Sequence, residues 1–302
     1  MKLISFLGTQ PILNFLAIRD IEPQEILFVG SRDTHGVAQH LQSMVGTRIK
    51  VHQSELYDPF DAPYITKTVQ KKLNKLGWEP RDTLFDLSGG NKLMFYAAVE
   101  MAKAHESPAL DIERIGQRYR IRQWEFQGHE LVRIRDEYLP TLITIADYLH
   151  CYLPGFHEDG FSRDSDGRVD IGGRFERTVY EILAEHVDEV MAGVRPAGVS
   201  EQIEIDLIVR HGNSVGIIEA KTGVKKAGID QLDTAGNPHY LGDYLSKLLV
   251  TGRYLPRSHK ALANAQEIRV IELPGYSDRQ GLPAQDKRNL IQAVQQALTG
   301  RS

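Results

Sequence analysis

A single cysteine, Cys151, leaves the chain no partner for an internal disulfide. Zinc sites rarely rest on a lone cysteine, so a reducing cytoplasm is the expected setting. Long apolar runs are also missing. The most apolar later stretch, from Leu139 to Phe156, is broken by Asp147, His150 and two prolines, which excludes a membrane span. The N-terminal run that ends at Gly8 is too short for a secretory core. Positive charge is not in excess: the formal net charge is -4, so a nucleic-acid partner would need a local basic patch. The chain shows no internal repeat, no low-complexity tract and neither of the common glycine-rich phosphate fingerprints, G-x-x-x-x-G-K-[ST] and G-x-G-x-x-G. What remains is 302 residues with 41% hydrophobic and 25% charged side chains, a globular composition long enough for two domains.

The first third alternates short apolar runs with amphipathic segments. Lys2–Leu7, Glu25–Val29, Arg48–Val51 and Thr83–Leu87 read as buried strands, with helical spacing over Thr34–Val45, Tyr64–Leu76 and Asn91–His105. Strand–helix alternation predicts a doubly wound parallel sheet. Ala109–Ile115, Arg120–Phe126 and Leu131–Ile134 extend it as strands, the last two joined by a turn at Gln127-Gly128-His129, so that the sheet ends in antiparallel pieces. Thr141–Tyr152 reads as a connecting helix, and the polar, glycine-rich stretch from Gly155 to Gly173 as a linker. These features divide the chain into residues 1–138, a connector over 139–173, and residues 174–302. The last part reads as helix Arg174–Val190, strand Ile203–Val209, turn His211-Gly212-Asn213 and strand Ser214–Ala220. A helical region around Tyr240–Val250, strand Glu267–Leu273 and helix Ala284–Leu298 complete a mixed α/β domain.

The chemistry concentrates in the hairpin of that second domain. Period-two alternation puts Glu204 and Asp206 on one face of their strand, and Glu219 and Lys221 on one face of the next. The turn brings Asp206 beside Glu219 and Lys221. Two neighbouring carboxylates repel, and burial adds to the penalty; a divalent cation removes both problems. An oxygen-only ligand set of Asp206, Glu219 and the backbone carbonyl of Ala220 suits Mg²⁺ or Mn²⁺. Such an ion would activate water and polarise a scissile phosphate, with Lys221 orienting the water or stabilising the developing charge. A separate signal comes from the preceding helix, where Glu176 projects into the apolar arc of Phe175, Val179, Ile182, Leu183, Val187 and Val190. A carboxylate aimed inward needs a partner, and Glu176 becomes the fourth candidate catalytic residue beside Asp206, Glu219 and Lys221. Glu-x-Lys alone is common on strands; only the set of four points to a catalytic centre. Gln231, His211, His239, Lys225 and Lys226 carry weaker signals, each equally readable as a solvated loop or helix residue.

In the first domain, three loops lie at one edge of the expected sheet. They contain Gly8, Thr9, Gln10 and Asn14; Ser31, Arg32 and Thr34; and Ser88, Gly89, Gly90, Asn91 and Lys92. Exposed backbone N–H groups that open a helix hold anions, and Lys92 adds a charge. Each loop alone could be an ordinary helix cap, but three at one edge favour a ligand cleft.

The order Glu176, Asp206, Glu219-Ala220-Lys221 resembles the PD-(D/E)xK nuclease superfamily, and the resemblance covers most of Arg174–Ser302. It departs in lacking a proline before the aspartate, which that superfamily often tolerates. Ser88-Gly89-Gly90-Asn91-Lys92 matches the (S/T)-G-G-x-K pattern of the CARF domain, the Rossmann-like sensor of type III CRISPR systems, and the Ser31–Thr34 loop resembles its other ligand loop; this covers roughly residues 1–135. The pairing resembles the CRISPR-associated CARF–nuclease effectors of antiviral defence. That resemblance implies a homodimer whose sensor domains share a pocket for a cyclic oligoadenylate, with cyclic tetra-adenylate favoured because a two-fold ligand suits a two-fold pocket. It implies metal-dependent cutting of DNA, RNA or both, switched on by the ligand. Two other readings stay open: a stand-alone restriction-type endonuclease, and a sensor or regulator whose nuclease fold is catalytically silent.

Overall fold

The computed structural model describes residues 1–128, 130–198, 203–223 and 226–300, apart from the side chains of Pro80 and His239. The chain divides into two compact units. One comprises residues 1–115, 119–143 and 150–152; the other comprises 116–118, 144–149 and 153–302.

The first unit is built on a seven-stranded sheet of β1 (Lys2–Phe6), β2 (Glu25–Ser31), β3 (Lys50–Leu56), β4 (Thr83–Asp86), β5 (Ala109–Ile115), β6 (Arg118–Gln127) and β7 (Glu130–Tyr138). The spatial order is β3-β2-β1-β4-β5-β6-β7. The first five of these strands run parallel, and β6 and β7 pair antiparallel. Helices α1 (Pro11–Ile21), α2 (His35–Val45), α3 (Ala62–Leu76) and α4 (Lys92–Ala104) supply the crossovers. Ile4, Phe6, Leu27, Val29 and Phe85 pack from the strands against Ile65 and Val69 of α3 and Met94, Ala98 and Met101 of α4. The winding reverses between β1 and β4: β1 leads outward to β2 and β3, and β4 leads the other way to β5. At such a switch point the chain leaves the two strands in opposite directions, and ligands of doubly wound sheets bind at the strand ends there.

α5 (Ile145–Tyr152) follows, opened by a reciprocal cap between Thr144 and Asp147. The second unit holds a six-stranded sheet of β8 (Phe156–Glu158), β9 (Glu189–Pro196), β10 (Ile205–His211), β11 (Ser214–Lys221), β12 (Ser246–Thr251) and β13 (Ile268–Glu272), in the order β13-β12-β11-β10-β9-β8. β11, β12 and β13 are parallel; β8 to β11 pair antiparallel in sequence. The helices are α6 (Ile171–Ala184), α7 (Ala227–Ala235), α8 (Pro238–Leu241), α9 (Arg257–Ala265) and α10 (Ala284–Thr299). α6 and α10 cover one sheet face with Phe175, Val179, Leu183, Leu290, Val294 and Leu298. Among the described residues no helix is long and apolar enough to cross a membrane.

Several expectations need correction. The segment Gly8–Asn14 is not all loop, because α1 starts at Pro11; every residue from Pro11 to Ile18 is buried, so the helix lacks the one-sided pattern that betrays a surface helix. The strand expected at Arg48–Val51 runs Lys50–Leu56, its half-buried His52 and Gln53 hiding it from an apolar search. The supposed linker from Gly155 to Gly173 carries β8, a bridge between Arg163 and Val169, and the start of α6. α6 ends at Ala184 rather than Val190, since β9 begins at Glu189; Val187 and Val190 fit the helical period by coincidence. The helical region around Tyr240–Val250 is short α8 followed by β12, whose Leu248, Leu249 and Val250 are buried on both faces. A run apolar on every side cannot be told from a buried helix by period. α9 is additional to the expected elements, and α7 is expected only through Gln231. The expected turn at Gln127-Gly128-His129 includes His129, which lies outside the described residues.

Candidate functional site

β10 and β11 form a hairpin through Gly212 and Asn213, with Leu207 opposite Ile218 and Ile208 opposite Ile217. The same register carried one residue further puts Asp206 opposite Glu219, on the sheet face away from Ala220, whose methyl joins the core with Phe175 and Leu248. Asp206 is 7% exposed and Glu219 only 2%. The Ala220 N–H donates to Asp206 Oδ2 at 2.8 Å, and Lys221 Nζ donates to the same oxygen at 3.3 Å. Lys221 also makes a close ion contact with Glu219 Oε1, which is otherwise without a hydrogen bond. Gly228 of α7 covers this face beside the Cγ atoms of Glu219 and Lys221.

Burial pushes the Glu219 carboxyl up to about 8, and the charge of Asp206 adds to the shift. Asp206 is raised by burial too, against the pull of Lys221. Burial alone would lower the Lys221 ammonium, but Asp206 and Glu219 outweigh it and raise its pKa. Taking an ion out of water costs roughly several kcal/mol even after relaxation, and one ion pair does not repay two carboxylates. The arrangement is therefore poor as a stabilising device and suited to hold a cation.

Glu176, 3% exposed, lies in the first half of α6. Its Oε2 accepts from the Ser162 N–H at 3.0 Å and its Oε1 from the Ser162 hydroxyl at 2.8 Å. Burial raises its pKa, and the Asp206 charge raises it further, so the two carboxylates feel each other. Ser162 comes from the stretch read as a linker; nothing in a polar, glycine-rich run marked it. Its backbone is pressed onto the helix, since a Cβ on Gly173 would meet the Ser162 carbonyl at 2.1 Å.

Among the described residues no three His, Cys, Asp or Glu side chains close a metal cage by themselves. Two carboxylates still fit Mg²⁺ or Mn²⁺, which keep several waters and take substrate phosphate oxygens as further ligands. Two buried carboxyls side by side, with the Asp206 charge raising Glu219 beyond what burial does and Glu219 Oε1 left without a hydrogen bond, are the observation that fits such an ion. Gln231 lies on α7 and is exposed, as is Lys226. His211 ends β10, 3.4 Å from Asp188. Lys225 and the His239 side chain lie outside the described residues.

In the first unit, the loops after β1 and β4 flank the switch point. They touch backbone to backbone: a Cβ on Gly8 would approach the Gly90 nitrogen to 2.9 Å. Gly90 has φ +77°, which favours glycine, and Gly89 lies so close that a Cβ would sit 2.1 Å from the Phe6 carbonyl oxygen. Asn91 is the N-cap of α4, accepting from Leu93 N and Met94 N, while its amide donates to the Pro59 carbonyl. Lys92 is exposed at the first turn of that helix. Ser88 Oγ accepts from Ile112 N at 2.8 Å. Thr34 is buried and closes a tight turn on the Ser31 backbone, with Arg32 exposed between them. Ser31 and Thr34 line a cavity of about 230 Å³ with Leu7, Gly30 and Ser54. Thr9 is exposed; Gln10 accepts from the Tyr152 hydroxyl at 3.2 Å. Asn14 departs from the expected loop position: it is fully buried inside α1, with its amide hydrogen-bonded to Ser5, Phe6 and Asp86.

No family model matches the sequence, and no curated protein matches it. Solved structures do. Can2 from Sulfobacillus thermosulfidooxidans, in complex with cyclic tetra-adenylate, superposes with TM-score 0.73 at 16% identity, over 97% of this chain and 99% of that one. Protein VC1899 from Vibrio cholerae gives 0.72 at 14% identity, over 99% of both chains. A type III CRISPR defence DNA nuclease activated by cyclic oligoadenylate gives 0.62 at 14% identity, over 85% of this chain and 46% of that one. The chain thus shares its fold with Can2 and VC1899 across nearly its whole length.

Proposed function

We propose that the protein is a metal-dependent nuclease of type III CRISPR defence, switched on by a cyclic oligoadenylate. The observation that carries this reading is the trio Asp206, Glu219 and Lys221: two buried carboxylates in register on adjacent strands, sharing one ammonium. It stands in a fold shared with Can2, which was solved with cyclic tetra-adenylate.

Asp206 and Glu219, with the Ala220 carbonyl, would hold Mg²⁺ or Mn²⁺. When bound, the ion supplies Lewis-acid polarisation of a scissile phosphate and lowers the pKa of water. Lys221 keeps its proton at neutral pH and offers Nζ–H donors to phosphate oxygens as negative charge develops. Glu176, pinned by Ser162, is the acceptor that orients the attacking water. The substrate is DNA, RNA or both.

The activator site is the switch-point cleft, where backbone N–H groups of Gly89–Lys92 meet phosphates, Lys92 adding its charge. Leu93, Phe95 and Tyr96 are exposed on α4 beside it, as are Tyr57 and Phe60 on a loop tied to Asn91. Apolar surface of this kind favours a second copy, and a two-fold dimer suits cyclic tetra-adenylate. Gating requires that the ligand bind the active state more tightly than the resting one.

The test is cleavage with Mn²⁺ and cyclic tetra-adenylate present. Asp206→Ala and Glu219→Ala should each lose at least about 100-fold, the scale of removing a preorganised charge from a reacting phosphate. Variants that cut as well as wild type would refute the reading.

A further inference from the structure

Asp86, the last residue of β4, is wholly buried, and none of the roles above uses it. It lies beside Ser5 in the parallel register of β1 and β4, and the Ser5 hydroxyl donates to its Oδ2 at 2.6 Å. Asn14 Nδ2, from α1, reaches the same oxygen at 3.1 Å, the Ser5 hydroxyl at 2.9 Å and the Phe6 carbonyl at 3.0 Å. Oδ1 accepts from the Ser88 N–H at 3.0 Å. These partners are neutral, and burial pushes the Asp86 carboxyl up. A carboxyl in that position costs stability that an apolar residue would not, so a local reason for it is needed.

The geometry supplies one. Asp86 holds the first N–H of the Ser88–Lys92 segment directly. The Asn14 amide it binds is the surface on which Gly89 rests, since a Cβ on Gly89 would sit 2.7 Å from Asn14 Nδ2. Gly90 in turn abuts Gly8, so the loop after β1 is set by the loop after β4. Ser5, Phe6 and Asn14 come from the strand and helix that bracket the Gly8 loop. One buried carboxyl beneath the strand ends thereby fixes the backbone of both loops.

We propose that Asp86, acting through Asn14 and Ser5, is the positioning residue of the activator cleft, holding the Ser88–Gly90 and Gly8 backbones in a single ligand-ready arrangement. This rests on the reading of that cleft as the cyclic oligoadenylate site. A preorganised site binds more tightly because less ordering remains to be done on binding. Loosening it should therefore raise the activator concentration required and leave the rate at saturation alone.

The experiment is a dose–response of cleavage against cyclic tetra-adenylate on the full chain with Mn²⁺, with direct binding of the same compound by calorimetry. Asp86→Asn should shift half-activation and Kd upward about tenfold, the scale of one to two lost buried hydrogen bonds, with maximal rate within about twofold. Ser5→Ala, which removes one bond, should shift both about threefold in the same direction. Val69→Ala, in the α3 core, serves as the control for lost stability and should leave half-activation unchanged at an equal fall in Tm. The proposal is overturned if Asp86→Asn and Ser5→Ala respond as wild type, or if Val69→Ala shifts half-activation equally. Should Asp86→Asn fail to fold, Ser5→Ala against Val69→Ala decides by the same criterion. If wild type neither binds nor responds to cyclic tri-, tetra- or hexa-adenylate, the activator reading itself fails.

Discussion

The two candidate sites are made from different materials. In the second unit the chemistry lies in side chains: Asp206, Glu219 and Lys221 project from central strands, and the backbone beneath them is regular sheet. In the first unit the cleft is mostly backbone, with Gly8, Gly89 and Gly90 in close approach and buried side chains beneath serving only to hold them. A side-chain site tolerates a shift of the main chain by a rotamer change; a backbone site has no such slack. The same substitution size should thus do more damage, by geometry alone, at the glycines than around the carboxylates.

Gly89→Ala tests this most strongly. Its methyl would fall on the Phe6 carbonyl and the Asn14 amide, and neither is the free end of a flexible chain. Overpacking of this kind costs about 1–3 kcal/mol, and the loop must move to relieve it. Binding of cyclic tetra-adenylate should drop at least tenfold in calorimetry, a factor of ten being about 1.4 kcal/mol. Retained affinity would mean the cleft is not built from this backbone.

Ser162→Ala sharpens the other half. It keeps the N–H bond to Glu176 Oε2 but removes the hydroxyl from Oε1, leaving a buried carboxylate oxygen short of a donor. Single-turnover cleavage should slow about tenfold, on the scale of a lost hydrogen bond to a charged group, with half-activation unchanged. An unchanged rate would remove Glu176 from the mechanism.

The smallest effect is on stability. Burial, followed by the charge of Asp86, pushes the Asp111 carboxyl up from 3.8 to about 6. A raised folded pKa means that this group's contribution is present in full below about 3.8 and is lost as pH rises through about 6. Asp111→Asn should therefore be more stable than wild type at pH 7.5, with the gain fading between pH 6 and pH 4. Denaturant midpoints across that range measure it, and a gain independent of pH would contradict it.

How much was legible in the sequence follows from the same contrast. The hairpin announced itself because period-two alternation fixes which residues share a face, and Asp206, Glu219 and Lys221 broke an otherwise apolar pattern. Glu176 was legible because a charge inside an apolar arc is anomalous, although the helix ends six residues earlier than the period suggested. The parallel sheet was legible as strand–helix alternation. α1 was not, being buried nearly all round, and β12 passed for a helix for the same reason. Ser162 carried no signal, because its role is set by a chain path through a polar stretch. Asp86 is a lone charge in Thr83–Leu87 that was not singled out, and only the structure places it buried beneath the loops.

The most direct test of the central claim, that one cleft gates the chemistry of the other, is cleavage of DNA and RNA substrates with Mn²⁺, with and without a panel of cyclic oligoadenylates. Cutting should depend on both the metal ion and one ring size, cyclic tetra-adenylate foremost. Cutting at full rate without any cyclic oligoadenylate would contradict it.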